Sequence, residues 1–513
     1  MKSKFQKIVP LIWLALIVLG LMTYMYFFFM NTCNDDASAE MILSNILSKE
    51  GGILSHDWKY STELRVFNTQ LVFSFLFHFF NSWKLVRVIG NGLLYIGMIT
   101  STYYLCKTLD IKKYFPVVAA MMILPSSREY FEFAIHGTYL IPHLIISILS
   151  VALFIDIQGQ TGKKRNIRLL LLVILSFIAG LGGIRHTLVL YIPLLLVACI
   201  KWIINIKSEK IKGLIYVLYA TGTLMVSLIG YLINSKVLCV RYHGGNSSVG
   251  SYGGGILYSD FHFYRLEDLI NGWLKCYGFQ VGKKVISIGL ICNGLAAILI
   301  IVSFIIVKKY KTFNEKAKLI ILIWLVSSLI ISGLFIFTDM SFYPRYLFQA
   351  HIFLYPSLAC AYRSFDIDLK IKKVCLILFS TYISIVASYN LYEFIGENYT
   401  VGMRKAADIL VNEGYEYGYS TAYWYWGNGM IEYSDGKLHT FRLSSDDDKI
   451  FYRMKWLDQV SLEDYIPSQK VYIVTTSDIN AYNYNELLYK DDDKVVYGYE
   501  SYEELIKDFR IEY

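Results

Sequence analysis

The chain has 513 residues, of which 55% are apolar and 18% charged, and it carries a formal net charge of +8. That much apolar side chain, gathered into runs close to the length that crosses a bilayer, excludes a soluble enzyme. It points to a polytopic α-helical membrane protein, and no nucleic-acid partner is expected.

The first apolar run is Ile8 to Met30, preceded by Lys2, Lys4 and Lys7. A basic lead of this kind also begins signal peptides, but this run is too long and no small-residue cleavage site follows it. It therefore reads as a retained first helix with a cytoplasmic N-terminus. Further runs near 85–106, 114–126, 138–155, 168–182, 187–204, 213–234, 284–307, 319–337, 345–362 and 373–391 bring the expected total to about eleven spans. Basic residues fall in alternate loops: Lys107, Lys112 and Lys113; Lys163, Lys164, Arg165 and Arg168; Lys201 to Lys212; Lys308 to Lys318; Arg363 to Lys373. The positive-inside rule makes that side cytoplasmic, in a plasma membrane.

The first external loop opens with Asn34–Asp35–Asp36–Ala37–Ser38–Ala39–Glu40, a carboxylate doublet directly beyond the first span. Met41, Ile42, Ile46 and Leu47 follow at helical spacing and Gly51–Gly52 stops them, which predicts an amphipathic helix lying on the membrane. Val66 to Phe80 is apolar but interrupted by Asn68, Thr69, Gln70 and His78, and it reads as a second surface helix. Alone, the two aspartates are explained by a helix start, where acids favour the exposed amides.

The later external loops are short and polar: Ser126–Gly137 with Arg128, Glu129, Glu132 and His136; Gly180–Thr187 with Arg185 and His186; Thr338–Arg345 with Asp339 and Arg345. A longer one, Ser235–Lys283, is rich in glycine from Gly244 to Gly255 but lacks the Gly-Lys-Ser/Thr ending of a phosphate loop, and is expected to close over a substrate. External arginines are few. A guanidinium presents a planar fork to phosphate oxygens, so Arg185 and Arg345 are candidates to clamp a lipid phosphate, against the simpler reading that they snorkel to the interface.

Eight cysteines form no framework; most lie in apolar runs, and Cys239 and Cys276 share one external loop where they could pair. From about Tyr392 the long apolar runs stop, and 23 acidic residues face 12 basic ones to the C-terminus. The expected organisation is a transmembrane domain over 1–391 and an extracytoplasmic α/β domain over 392–513. In it a helix is expected over 401–413, strands near 416–422, 437–443 and 470–476, and a final helix over 502–509. Acidic runs Asp446–Asp448 and Asp491–Asp493 read as solvated loops. The aromatic run Tyr423–Trp424–Tyr425–Trp426 could stack on sugar rings or pack in a core.

The succession Asn34–Asp35–Asp36–Ala37–Ser38–Ala39–Glu40, two surface helices and Phe79–Phe80–Asn81–Ser82–Trp83–Lys84–Leu85–Val86–Arg87 resembles the opening of GT-C glycosyltransferases. The likeness is to the protein O-mannosyltransferase and aminoarabinose-transferase branch. Gly180–Leu181–Gly182–Gly183–Ile184–Arg185 and Arg345–Tyr346–Leu347 are similar to two later points of that branch. The resemblance implies a membrane transferase that takes a sugar from a polyprenyl-phosphate donor, with Asp35 at the position of the base and Asp36 as its acidic neighbour. The acid that follows the third span falls on Glu129 or Glu132. The basic residue of the first loop falls on Lys59 or Arg65, since the Lys/Arg-Pro-Pro segment is absent. Candidate catalytic residues are thus Asp35 and Asp36. Candidate substrate-binding residues are Arg185, Arg345, His186, Lys59, Arg65, Glu129 and His136, with a divalent metal left open. The acceptor is a glycan, lipid or protein. The competing readings are an O-antigen-type polymerase and a non-enzymatic lipid-linked glycan flippase.

Overall fold

The computed structural model describes residues 2–60, 64–136, 138–244, 263–280, 289–338, 342–445, 450–477, 479 and 481–512. Among these, eight helical segments are long and apolar enough to cross a membrane: Ile8–Asn31, Trp83–Thr108, Thr138–Ile157, Thr187–Ile204, Lys210–Arg241, Gly289–Lys308, Glu315–Phe337 and Leu369–Gly396. The protein is a multi-pass helical membrane protein. Three of the expected eleven runs differ from this set. Phe115–Ile123 is a nine-residue helix, about 13 Å long at 1.5 Å per residue. Gly162–Leu181 has the length, but Lys163, Lys164, Arg165 and Arg168 occupy its first two turns. The run near 345–362 is broken into Pro344–Leu347, Phe348–His351 and Leu354–Ser364. Averaged hydropathy does not register such breaks.

The basic loops meet at one end of the bundle. Lys316 lies 2.9 Å from Asp110, Arg168 2.5 Å from Asp156 and Lys201 2.8 Å from Glu315, while Arg363 donates to the Asp110 carbonyl. At the other end the chain leaves its first helix, α1 (Lys2–Phe28), and enters α2 (Asp35–Glu50). Asn34 is the N-cap of α2, its side chain accepting from the Ala37 amide at 3.0 Å. Gly51 ends the helix in the left-handed region at φ 72°, where glycine lacks the Cβ penalty. The second short helix, α3 (Thr69–Phe77), packs against α2 and against α4 (Trp83–Thr108). Helix α2 does not lie exposed on the membrane as its pattern predicts. Met41, Ile42, Ile46 and Leu47 are all buried, packed with Leu54, Trp58, Leu64 and Val66 of the following loop, Phe73 and Leu76 of α3, and Ile431 of the C-terminal domain.

That domain begins as the last spanning helix ends at Gly396. Its sheet has seven strands: β1 (Tyr417–Ser420), β2 (His439–Ser445), β3 (Ile450–Arg453), β4 (Val471–Thr476), β5 (Glu486–Lys490), β6 (Lys494–Tyr499) and β7 (Arg510–Glu512). The order is β5-β6-β4-β1-β2-β3-β7. β1 runs parallel to β2 and β4, and β6 antiparallel to β4 and β5. Successive residues of β4 feed opposite faces, as the two-residue period of a strand requires. Tyr472 and Val474 pack with the helix Val401–Asn412 through Met403, Ala407 and Leu410. Val471 and Ile473 pack with the helix Tyr502–Asp508 through Leu505. A short helix, Asn428–Tyr433, leaves the sheet and docks on α2.

Candidate active site

Asp35 and Asp36 are the first two residues of α2, and neighbours on an α-helix point about 100° apart. They consequently face different partners. Asp35 is fully buried against the C-terminal domain. Its Oδ1 accepts from the Asn428 amide at 2.9 Å and its Oδ2 lies 3.4 Å from Arg442 Nη1. Burial pushes the Asp35 carboxyl up to about 7, opposed by the Arg442 charge and the Asn428 amide.

Asp36, by contrast, is half-buried. It acts electrostatically on Tyr139, Arg345 and Glu40. Glu40, one turn further along the same face of α2, lies 3.7 Å from Arg65 and accepts from the Thr69 hydroxyl at 2.8 Å. Burial raises the Glu40 carboxyl, and Arg65 and Thr69 oppose the rise. The Arg65 guanidinium sits 4.6 Å over the Tyr139 ring.

The two arginines singled out in sequence approach one ring: Arg185 and Arg345 lie 5.2 and 5.8 Å from the centre of Tyr346. Arg185 is almost entirely buried. Arg345 instead lines a polar cavity of about 180 Å³ with Thr32, Asn34, Arg128, Glu132, Tyr139, Phe394, Glu397, Tyr399 and Tyr425. The cavity has two neighbours. Through Arg128, Phe394 and Glu397 it shares walls with a cavity of about 910 Å³ at the C-terminal end of Leu369–Gly396, where Glu129, Lys275 and Asn390 also lie. Through Tyr399 and Tyr425 it shares walls with a third, of about 760 Å³, in the C-terminal domain.

The remaining candidates divide. Glu129 stands 3.9 Å from Lys275; burial and Glu132 push its carboxyl up, and Lys275 opposes them. His186 is buried, with Nε2 3.1 Å from the His143 carbonyl. Lys59 is drawn away to the C-terminal domain, 2.6 Å from Glu463. The His136 side chain, the glycine-rich segment 245–262, Asp339 and Asp446–Asp448 lie outside the described residues. Cys239 and Cys276 are both buried thiols that do not pair with each other; they are directed at Asn234 and at the Pro344 carbonyl. Among the described residues no group of three or more His, Cys, Asp or Glu side chains converges as a metal site.

Sequence reasoning missed Tyr139, Asn428 and Arg442, and named Tyr346 only within the Arg345–Tyr346–Leu347 likeness. Glu40 carried a signal, its i+4 spacing from Asp36, whereas Arg442 is 407 residues from Asp35 and carried none.

No protein-family model matches the sequence, and no curated protein matches it. Among solved structures, ArnT from Cupriavidus metallidurans bound to undecaprenyl phosphate aligns with a TM-score of 0.55, covering 95% of this chain and 98% of that one at 12% identity. The chain has the ArnT fold. ArnT is a GT-C glycosyltransferase, so the resemblance drawn from the Asp35–Asp36 doublet and the Arg345–Tyr346–Leu347 segment holds at the level of architecture. The match to ArnT extends beyond the helical bundle: at 95% coverage it takes in the C-terminal domain as well.

Proposed function

We propose that the protein is a GT-C-type glycosyltransferase that moves a sugar from a polyprenyl-phosphate donor to a cell-envelope acceptor, with Asp36 as the base. The observation that carries this reading is that Asp36 and Arg345 act on the same residue, Tyr139, in the wall of one polar cavity at the bundle end opposite the basic loops. The positive-inside rule makes that end external, where a lipid-carried sugar is presented. In the solved ArnT complex the bound ligand is undecaprenyl phosphate, which supports a polyprenyl carrier here.

In the proposed step an acceptor hydroxyl attacks the anomeric carbon and the bond from that carbon to the phosphate oxygen breaks. The hydroxyl proton passes to the Asp36 carboxylate. The electron pair leaves with the polyprenyl phosphate, whose charge Arg345 and Arg65 stabilise. A single displacement of this kind inverts the anomeric centre. Asp35, sealed beneath Asn428 and Arg442, positions α2 and does not meet substrate. An apolar groove of about 520 Å³ runs between Ile298–Val302 and Leu376–Tyr382. It lies on the same helix as the 910 Å³ cavity, about 12 Å toward the basic end, and suits a lipid tail. The test is transfer of a labelled sugar from a polyprenyl-phosphate donor in membranes. Asp36→Asn abolishes it while Asp35→Asn retains it; the reverse ranking would overturn the assignment.

A further inference from the structure

The third cavity belongs to the C-terminal domain and has a chemistry unlike the arginine-lined centre. Its walls include Tyr399, Tyr425 and Trp426 together with Asp491, Asp493 and Lys494. Tyr399 and Tyr425 are stacked, with ring centroids 5.9 Å apart and planes at 25°. Tyr399 is held there by its backbone amide, which donates to the Asn31 carbonyl at the end of the first span, yet its side chain is 52% exposed. The same two tyrosines form the partition toward the 180 Å³ cavity. Asp491 is fixed as an acceptor by the Tyr489 hydroxyl and the Asp493 and Lys494 amides.

A volume of about 760 Å³ lies within the range of roughly 300–1,000 Å³ expected of ligand sites. Exposed tyrosine faces accept the C–H faces of sugar rings, and carboxylates accept from sugar hydroxyls. The carboxylates disfavour phosphate, which the arginines of the central cavity favour. A peptide acceptor held through its backbone needs an exposed strand edge, whereas this cavity is lined by the start of the helix Val401–Asn412, the segment 421–426 and the turn between β5 and β6.

We propose that this cavity is the acceptor site and that the acceptor is a carbohydrate chain. Its terminal rings stack on Tyr399 and Tyr425, its hydroxyls bond to Asp491 and Asp493, and the reacting hydroxyl passes the two tyrosines into the central cavity. This deepens the transferase reading and rests on it.

The experiment places the photocrosslinker p-benzoylphenylalanine in the full-length protein at Val401, on the cavity rim and 38% exposed. The comparison position is Tyr482, 83% exposed and at the opposite end of the β5–β6 hairpin. Cells expressing each form are irradiated and the adducts are analysed by mass spectrometry. Sugar masses on the 401 protein, absent from the 482 protein, are expected. Tyr425→Ala should reduce them at least tenfold and Tyr425→Phe should not. Asp36→Asn should still capture the glycan, so failure of the proposed chemistry and failure of this site are read separately. A peptide or lipid adduct, no adduct, or equal glycan capture at 482 would overturn the proposal.

Discussion

Arg87 and Glu432 form a two-point ion pair, Nε to Oε1 at 2.5 Å and Nη2 to Oε2 at 2.7 Å, with both side chains 3% exposed. One belongs to the second spanning helix and the other to the C-terminal domain. Arg87 Nη2 also donates to the Ala37 carbonyl at 2.9 Å, so the pair fixes the first turn of α2 and with it the aim of Asp36. Removing one partner leaves an uncompensated buried charge, which costs about 3–5 kcal/mol. Glu432→Ala should therefore lower the unfolding temperature of detergent-solubilised protein and open the segment 396–400 to protease. The double variant Arg87→Met with Glu432→Ala should be milder than Glu432→Ala alone. An additive double variant would show that the two residues act independently.

Asp35 makes the same junction pH-dependent. Its folded carboxyl titrates at about 7, against about 3.9 for an exposed aspartate. Between those values the folded protein keeps a proton that the unfolded chain releases. The contribution of this group is complete below about pH 4 and is lost as pH rises through 7. Asp35→Asn removes the titration and leaves a constant offset. Its stability relative to wild type should climb by on the order of a few kcal/mol from pH 4 to pH 8. Thermal unfolding at three pH values reads this; parallel curves would mean that Asp35 ionises in place as it would in water.

The limits of sequence reading fall along the same junction. The cap at Asn34, the stop at Gly51 and strands β1, β2 and β4 follow local rules, and their patterns are visible within a dozen residues. The divergence of Asp35 and Asp36 is not, because it depends on Asn428 and Arg442 arriving from another domain. The amphipathic pattern of α2 announces a buried face but cannot say whether lipid or protein covers it. Strands β3, β5, β6 and β7 were missed for a related reason: only their sheet neighbours make them strands.

A run read from sequence as part of a ligand loop has a packing role as well. Gly180 lies where Gly162–Leu181 crosses Ile206–Ile233; a Cβ there would collide with the Ser227 carbonyl, and one on Gly230 would sit 2.6 Å from the Phe177 carbonyl. Small residues let two membrane helices approach backbone to backbone. Gly180→Leu should abolish monodisperse protein in size-exclusion chromatography. Gly222→Leu, on the same partner helix but with nothing within 4 Å of its Cβ, should leave it intact. Equal behaviour of the two variants would count against a close crossing.

The arginines should differ in kind rather than degree. Arg345 lines the central cavity and can meet a leaving phosphate, so Arg345→Ala should lower kcat by about 10²–10³-fold. Arg345→Lys should recover little of it, because an ammonium cannot reproduce the planar fork. Arg185, nearly sealed behind Tyr346, acts through that ring. Arg185→Lys should therefore cost less in kcat and more in thermal stability than Arg345→Lys. A charge whose work is confined to the transition state lowers kcat and kcat/KM together, whereas one that only holds the ground-state phosphate raises KM alone. If Arg345→Ala raised KM for the polyprenyl donor with kcat unchanged, Arg345 would be a docking residue and the leaving-group charge would have to be met by Arg65.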